Sequence, residues 1–200
     1  MSTSKYKTKT KTKNTYRNLL SPAPISKIPH PEKQKALIKE IVVDEKTAFY
    51  EIAKTLLKSK KPVIFSPGRI ILWAFEEGAT KKAKTIRKFA KSINAEVLPV
   101  MDIRPEFPMA KTAVEINPYH IDLIINHNKY DTAVFIGIDC PYADVALKII
   151  KDGTKCYTIA LCGNIGHVDS TITMRDINIE KLNELTEIVD NLKLNASLLH

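Results

Sequence analysis

The chain is short of several things, and each shortage excludes a class. No apolar run approaches the roughly 18 residues that a membrane-spanning helix needs. The N-terminus is basic but has no apolar stretch of the signal-peptide kind. Cysteine occurs only at Cys140, Cys156 and Cys162, an odd set without framework spacing, which argues against a disulfide-stapled secreted domain. A protein of a reducing cytoplasm, without a membrane span, is therefore expected. The GxGxxG fingerprint, the GxxxxGKS/T loop, the GxSxG elbow and the HExxH helix are all missing, as are internal repeats and paired carboxylates on one helical face within a plausible pocket.

Acid is also scarce at one end. Residues 1–35 hold nine of the 31 Lys and Arg residues but only one of the 22 acids, Glu32. The formal charge of +9 thus belongs largely to this segment, and the rest of the chain is close to neutral. Attraction for polyanions would be confined to the tail and would weaken with salt. Residues 1–43 read as a basic tail with prolines at 22, 24, 29 and 31, largely disordered or draped on the body. Residues 44–193 read as a single α/β domain and residues 194–200 as a C-terminal tail.

Four short apolar runs are present, and each ends in a small, polar, turn-forming cluster. Pro62–Phe65 runs into Ser66-Pro67-Gly68-Arg69, and Val97–Val100 is followed by Asp102-Ile103-Arg104. Ala133–Ile136 ends in Gly137-Ile138-Asp139-Cys140, and Tyr157–Ala160 in Cys162-Gly163-Asn164. Helical periodicity is expected over 47–61, 77–93, 118–129, 141–153 and 178–193, with a short extra strand near 168–173. The segment 104–117 reads as an irregular loop. Continuous apolar strands alternating with helices predict a three-layer α/β/α Rossmann-like domain with a mainly parallel sheet. Ligands of such sheets sit beyond the carboxyl ends of the strands.

That rule makes Ser66, Pro67, Gly68, Arg69, Asp102, Arg104, Gly137, Asp139, Gly163 and Asn164 the candidate binding residues. Gly68 lets a ligand approach the backbone, while Arg69 and Arg104 suit phosphate or carboxylate, and each equally suits pairing with a nearby acid. Asp139 either accepts from ribose hydroxyls or caps the helix opening at Pro141. Cys162 and His167 offer a nucleophile and a base, or metal ligands, but their spacing matches no zinc pattern, and no metal is assigned. Gly163–Gly166 has the GxxG form of an RNA-binding KH loop; that loop joins two helices, whereas this one follows a strand. The sequence provides a binding edge without a convincing catalytic set.

In the order of its elements the body, from about Thr47 to Leu192, resembles the epsilon subunit family of the archaeal, methanogen-type carbon monoxide dehydrogenase/acetyl-CoA synthase complex. The resemblance rests on Lys61–Gly68, on Ala95–Val100, on Tyr130–Ile138 and on Tyr157–Ala160 with the late Ser170-Thr171 segment. It implies a DHS-like NAD/FAD-binding fold and an accessory, non-catalytic subunit without a metal cluster of its own. It further implies docking on the catalytic subunit of a carbon monoxide dehydrogenase-type enzyme, and FAD or another nucleotide as ligand; a homo-oligomer is expected as well. The basic tail and Asp139-Cys140-Pro141-Tyr142, where a tyrosine-rich stretch is expected, depart from the family pattern. Two other readings stay open. One is a stand-alone dinucleotide enzyme or sensor using Asp102, Asp139, Cys162 and His167. The other, weaker, is a nucleic-acid module acting through residues 5–17.

Overall fold

A computed structural model describes residues 28–72, 74, 77–100 and 116–197. Strands β1 (Lys35–Ile38) and β2 (Ile41–Asp44) form an antiparallel hairpin. They are followed by α1 (Glu45–Lys58), β3 (Pro62–Pro67), the single turn α2 (Gly68–Ile71), α3 (Ala79–Ser92) and β4 (Glu96–Val100). A 3-10 turn at Pro118–His120 leads into α4 (Ile121–Asn128), β5 (Thr132–Ile136), α5 (Cys140–Gly153), β6 (Tyr157–Leu161), β7 (Ile172–Met174) and α6 (Ile179–Ser197). The seven strands make one sheet in the order β2-β1-β7-β6-β5-β3-β4, parallel from β7 to β4.

Alternation along the central strands sorts their side chains between two cores. Ile64, Val134, Ile136, Ile159 and Leu161 face α1, α3 and α6, which contribute Phe49, Ile52, Leu56, Ile86, Phe89, Leu185 and Val189. Val63, Phe65, Ala133, Phe135 and Ala160 face α4 and α5, which contribute Ile121, Ile125, Ala146, Leu147 and Ile150. The expected three-layer α/β/α arrangement follows from this split. Every residue of β3 and of β5 is buried, which is why these strands read as unbroken apolar runs rather than alternating ones.

The helix boundaries have local causes. Pro62 ends the α1 connection and opens β3, and Asn94 takes a left-handed conformation at φ 53° after α3, as its residue type favours. Lys129 does the same at φ 58° after α4. Two boundaries differ from the sequence reading. β1 and β2 lie inside the segment assigned to the tail: four-residue strands, one of them largely exposed, give too short a pattern to register. The last helix continues to Ser197, four residues beyond the expected 193. No helix among the described residues is long and apolar enough to cross a membrane.

At the amino ends of the strands, Asp131 ties two crossovers together. It accepts from Ser59 Oγ, from the Lys60 N–H at 2.7 Å and from the Lys61 N–H at 3.3 Å. Partial burial raises its pKa, but these bonds outweigh burial and hold the carboxyl below the ordinary value. The folded pKa is therefore below the unfolded one, and the resulting stability is present above about pH 4 and fades as pH falls further. Replacing Asp131 by Asn should lower chemical-denaturation stability at pH 7, with the gap to wild type closing below about pH 4. A gap that persists unchanged to pH 2 would contradict the assignment. In the core, Phe135 stacks against Phe65 at 5.4 Å between ring centroids. Phe135→Ala should cost about 3–5 kcal/mol in urea unfolding.

Candidate functional site

The strand order creates a switch point between β3 and β5. From β3 the chain passes through α3, on one face, to β4; from β5 it passes through α5, on the other face, to β6. The two neighbouring strands thus send their connections apart at their carboxyl ends, the position at which ligands of open α/β sheets bind. Ser66, Pro67, Gly68 and Arg69 lie on one side of it, and Gly137 and Asp139 on the other.

Arg69 spans this switch point. One of its terminal nitrogens lies 3.0 Å from Asp139 Oδ1 and 3.5 Å from the carbonyl oxygen of Gly137. Gly137 has φ +73°, and a Cβ there would stand 3.2 Å from Ile70 Cδ1, so glycine lets the turn of α2 lie against the end of β5. Asp139 occupies the N-cap position of α5, yet its carboxylate makes no cap bond and goes to Arg69 instead. The arginine–acid pairing anticipated from the sequence is therefore present. Ser66 is fully buried at the end of β3, and its hydroxyl has no hydrogen-bond partner among the described residues. Asp102 and Arg104 lie outside the described residues.

Gly163 and Asn164 lie one strand further along, after β6, beside a second cluster. Cys140, the first residue of α5, and Cys162, just past β6, place their sulfurs 3.8 Å apart. His167 is buried in the β6–β7 connection, its Nδ1 2.6 Å from Asp144 Oδ1. The Asn164 N–H donates to Cys162 Sγ at 3.3 Å, and the Asn164 side-chain amide donates to Cys140 Sγ at 3.7 Å. The hydrogen-bond contact with Cys140 draws the Cys162 pKa down to about 6 against the effect of burial, with help from the N–H groups of Asn164 and Gly166. The same contact pushes Cys140 up to about 12. Burial disfavours charge on His167, but Asp144 and Cys140 outweigh it and raise its pKa to about 9.

The connection that carries His167 is fixed by its backbone. The His167 N–H donates to Thr173 Oγ1 at 2.7 Å, and Ser170 Oγ donates to the His167 carbonyl at 2.8 Å. The Ile177 N–H donates to the Cys162 carbonyl and the Asp176 N–H to the Asn164 carbonyl. The sequence pointed to Cys162 and His167 as a pair but missed that Cys140 and Asp144 join them. A usable signal was present: two neighbouring strands each end near a cysteine, and Asp144 follows Cys140 by one helical turn.

Gly166 holds this loop at φ +85°, where a Cβ would stand 3.0 Å from Thr173 Oγ1. Gly166→Ala should destabilise the protein by about 1–3 kcal/mol. At Gly163 a Cβ would meet only the Ile177 carbonyl at 3.7 Å, an ordinary contact. Gly163→Ala should be close to neutral when the two variants are compared by thermal melts, and equal effects at both positions would show that the left-handed turn is not the constraint.

Comparison with known proteins agrees with this architecture. Residues 23–190 match the family model described as CO dehydrogenase beta subunit/acetyl-CoA synthase epsilon subunit. A search of curated proteins returns no significant match. The family match takes in β1 to β7, both sides of the switch point and most of α6, and the chain belongs to the CO dehydrogenase beta subunit/acetyl-CoA synthase epsilon subunit family.

Proposed function

We propose that this chain is a non-catalytic accessory subunit of a carbon monoxide dehydrogenase/acetyl-CoA synthase-type complex, docking on its catalytic subunit. We further propose that the β3–β5 crevice receives a flavin or another anionic nucleotide. The observation that carries the reading is the family match across residues 23–190. The site chemistry supports the ligand class. Arg69 is a largely sequestered guanidinium at the switch point, with only 15% of its side chain exposed, and its charge suits a phosphate or carboxylate. An entering phosphate would exchange the Asp139 carboxylate for its own oxygens on Arg69, one charge-assisted bond for another.

Two measurements separate the two parts of this reading. Co-expression with the catalytic subunit should give a single co-eluting species on size exclusion, and separate elution would overturn the docking. Titration of the isolated chain with FAD and with NAD should show saturable binding below millimolar ligand. Arg69→Ala should weaken it about tenfold to a hundredfold, as expected for losing a hydrogen bond to a charged group. Undiminished affinity in that variant would remove the crevice from the proposal.

A further inference from the structure

Cys140, Cys162 and His167 form a group that neither the family assignment nor the crevice uses. Each offers one ligand atom, and the three atoms all lie within 4.8 Å of one another. The sulfur separation of 3.8 Å is informative. Two thiolates at about 2.3 Å from a tetrahedral Zn²⁺ stand about 3.8 Å apart, whereas a disulfide closes to about 2.05 Å. The separation has the span of a metal-bridged pair.

The histidine is oriented for the same task. Its Nδ1 is engaged by Asp144, which leaves Nε2 for the interior of the cluster. A carboxylate on one ring nitrogen and a metal on the other is the recurring arrangement by which proteins fix an imidazole ligand. The sulfur of Cys162 is met by the backbone N–H groups of Asn164 and Gly166, the type of bond that supports a metal-bound thiolate. Thr173, Ser170 and the left-handed Gly166 hold the loop without any help from an ion.

We propose that Cys140 Sγ, Cys162 Sγ and His167 Nε2 constitute a binding site for one divalent transition-metal ion, with Zn²⁺ the best fit, and that Asp144 orients the imidazole. Two sulfurs and an imidazole disfavour Mg²⁺ and Ca²⁺, which take oxygen ligands. Three protein ligands leave a fourth tetrahedral position open, on the side where the partly exposed Cys140 and the exposed Asn164 reach solvent. Water or a substrate atom would complete it. Sequence spacing concealed this group because Cys140 comes from the end of β5 while Cys162 and His167 follow β6. The assignment is independent of the docking and nucleotide readings, and it departs from what the family resemblance implies.

The test is titration of the untagged, fully reduced full-length chain with Co²⁺ alone under anaerobic conditions. One equivalent should give the visible bands of tetrahedral cobalt with a near-ultraviolet sulfur-to-cobalt band, and Zn²⁺ should then displace it. Cys140→Ser and Cys162→Ser should each weaken the sulfur band, and Cys156→Ser should leave it intact, since Cys156 precedes β6 at the opposite end of the strand. Asp144→Asn keeps every ligand and should lower cobalt affinity about tenfold to a hundredfold. A wild-type chain that takes up no cobalt, or a sulfur-to-cobalt band undiminished by Cys162→Ser, overturns the proposal. Should Cys162→Ser fail to fold, Asp144→Asn decides, and unchanged affinity there overturns it.

Discussion

Burial of both faces of β3 and β5 is the constraint on which the rest of the molecule depends. A strand covered on both sides must be largely apolar, with polar residues such as Thr132 and Ser66 only towards its ends. Function is displaced to the first residues past each strand, where the backbone leaves the sheet and polar side chains regain access to solvent. Arg69, Asp139, Cys140 and Cys162 all stand at such positions. The two helical layers that impose the constraint also send the connections of β3 and β5 to opposite faces, which makes their carboxyl ends the switch point of the sheet.

Within that edge two polar assemblies stand side by side and differ in kind. Arg69 and Asp139 form an ion-pair clasp across the switch point. The cysteine–histidine cluster is more deeply seated, with Cys162 and His167 buried and their loop fixed by backbone bonds. Asp139 and Cys140 are consecutive residues, so the start of α5 serves both. A displacement of this helix end would be felt by the clasp and the cluster together.

Much of the fold was legible because its pattern is long and consistent. Four apolar runs, the prolines at 62, 118 and 141 and the left-handed Asn94 mark elements whose local preferences agree with their tertiary surroundings. β1 and β2 were not legible: their partners are each other and the distant β7, and pairing of that kind leaves little local trace in four residues. The candidate site divided in the same way. Strand-end position alone found Arg69, Gly137 and Asp139, whereas the convergence of Cys140 on Cys162 depends on the register of β5 against β6, which spacing along one chain does not contain.

The strand order has a consequence for how the molecule is assembled. β3 and β4 join residues close in sequence, but β3 must also pair with β5, Phe65 opposite Phe135, across a separation of about 70 residues. Loop-closure entropy sets such a distant pairing against the local ones, so the β3–β5 seam is expected to form after the β3–β4 and β5–β6 pairings. The crevice straddles that seam, and its two walls meet only once the halves of the sheet have joined. A ligand gripped by both walls would bind the finished fold and not its parts, adding about 2.7 kcal/mol at a hundred times its dissociation constant. Occupancy of the crevice would then act as a lock on completed folding.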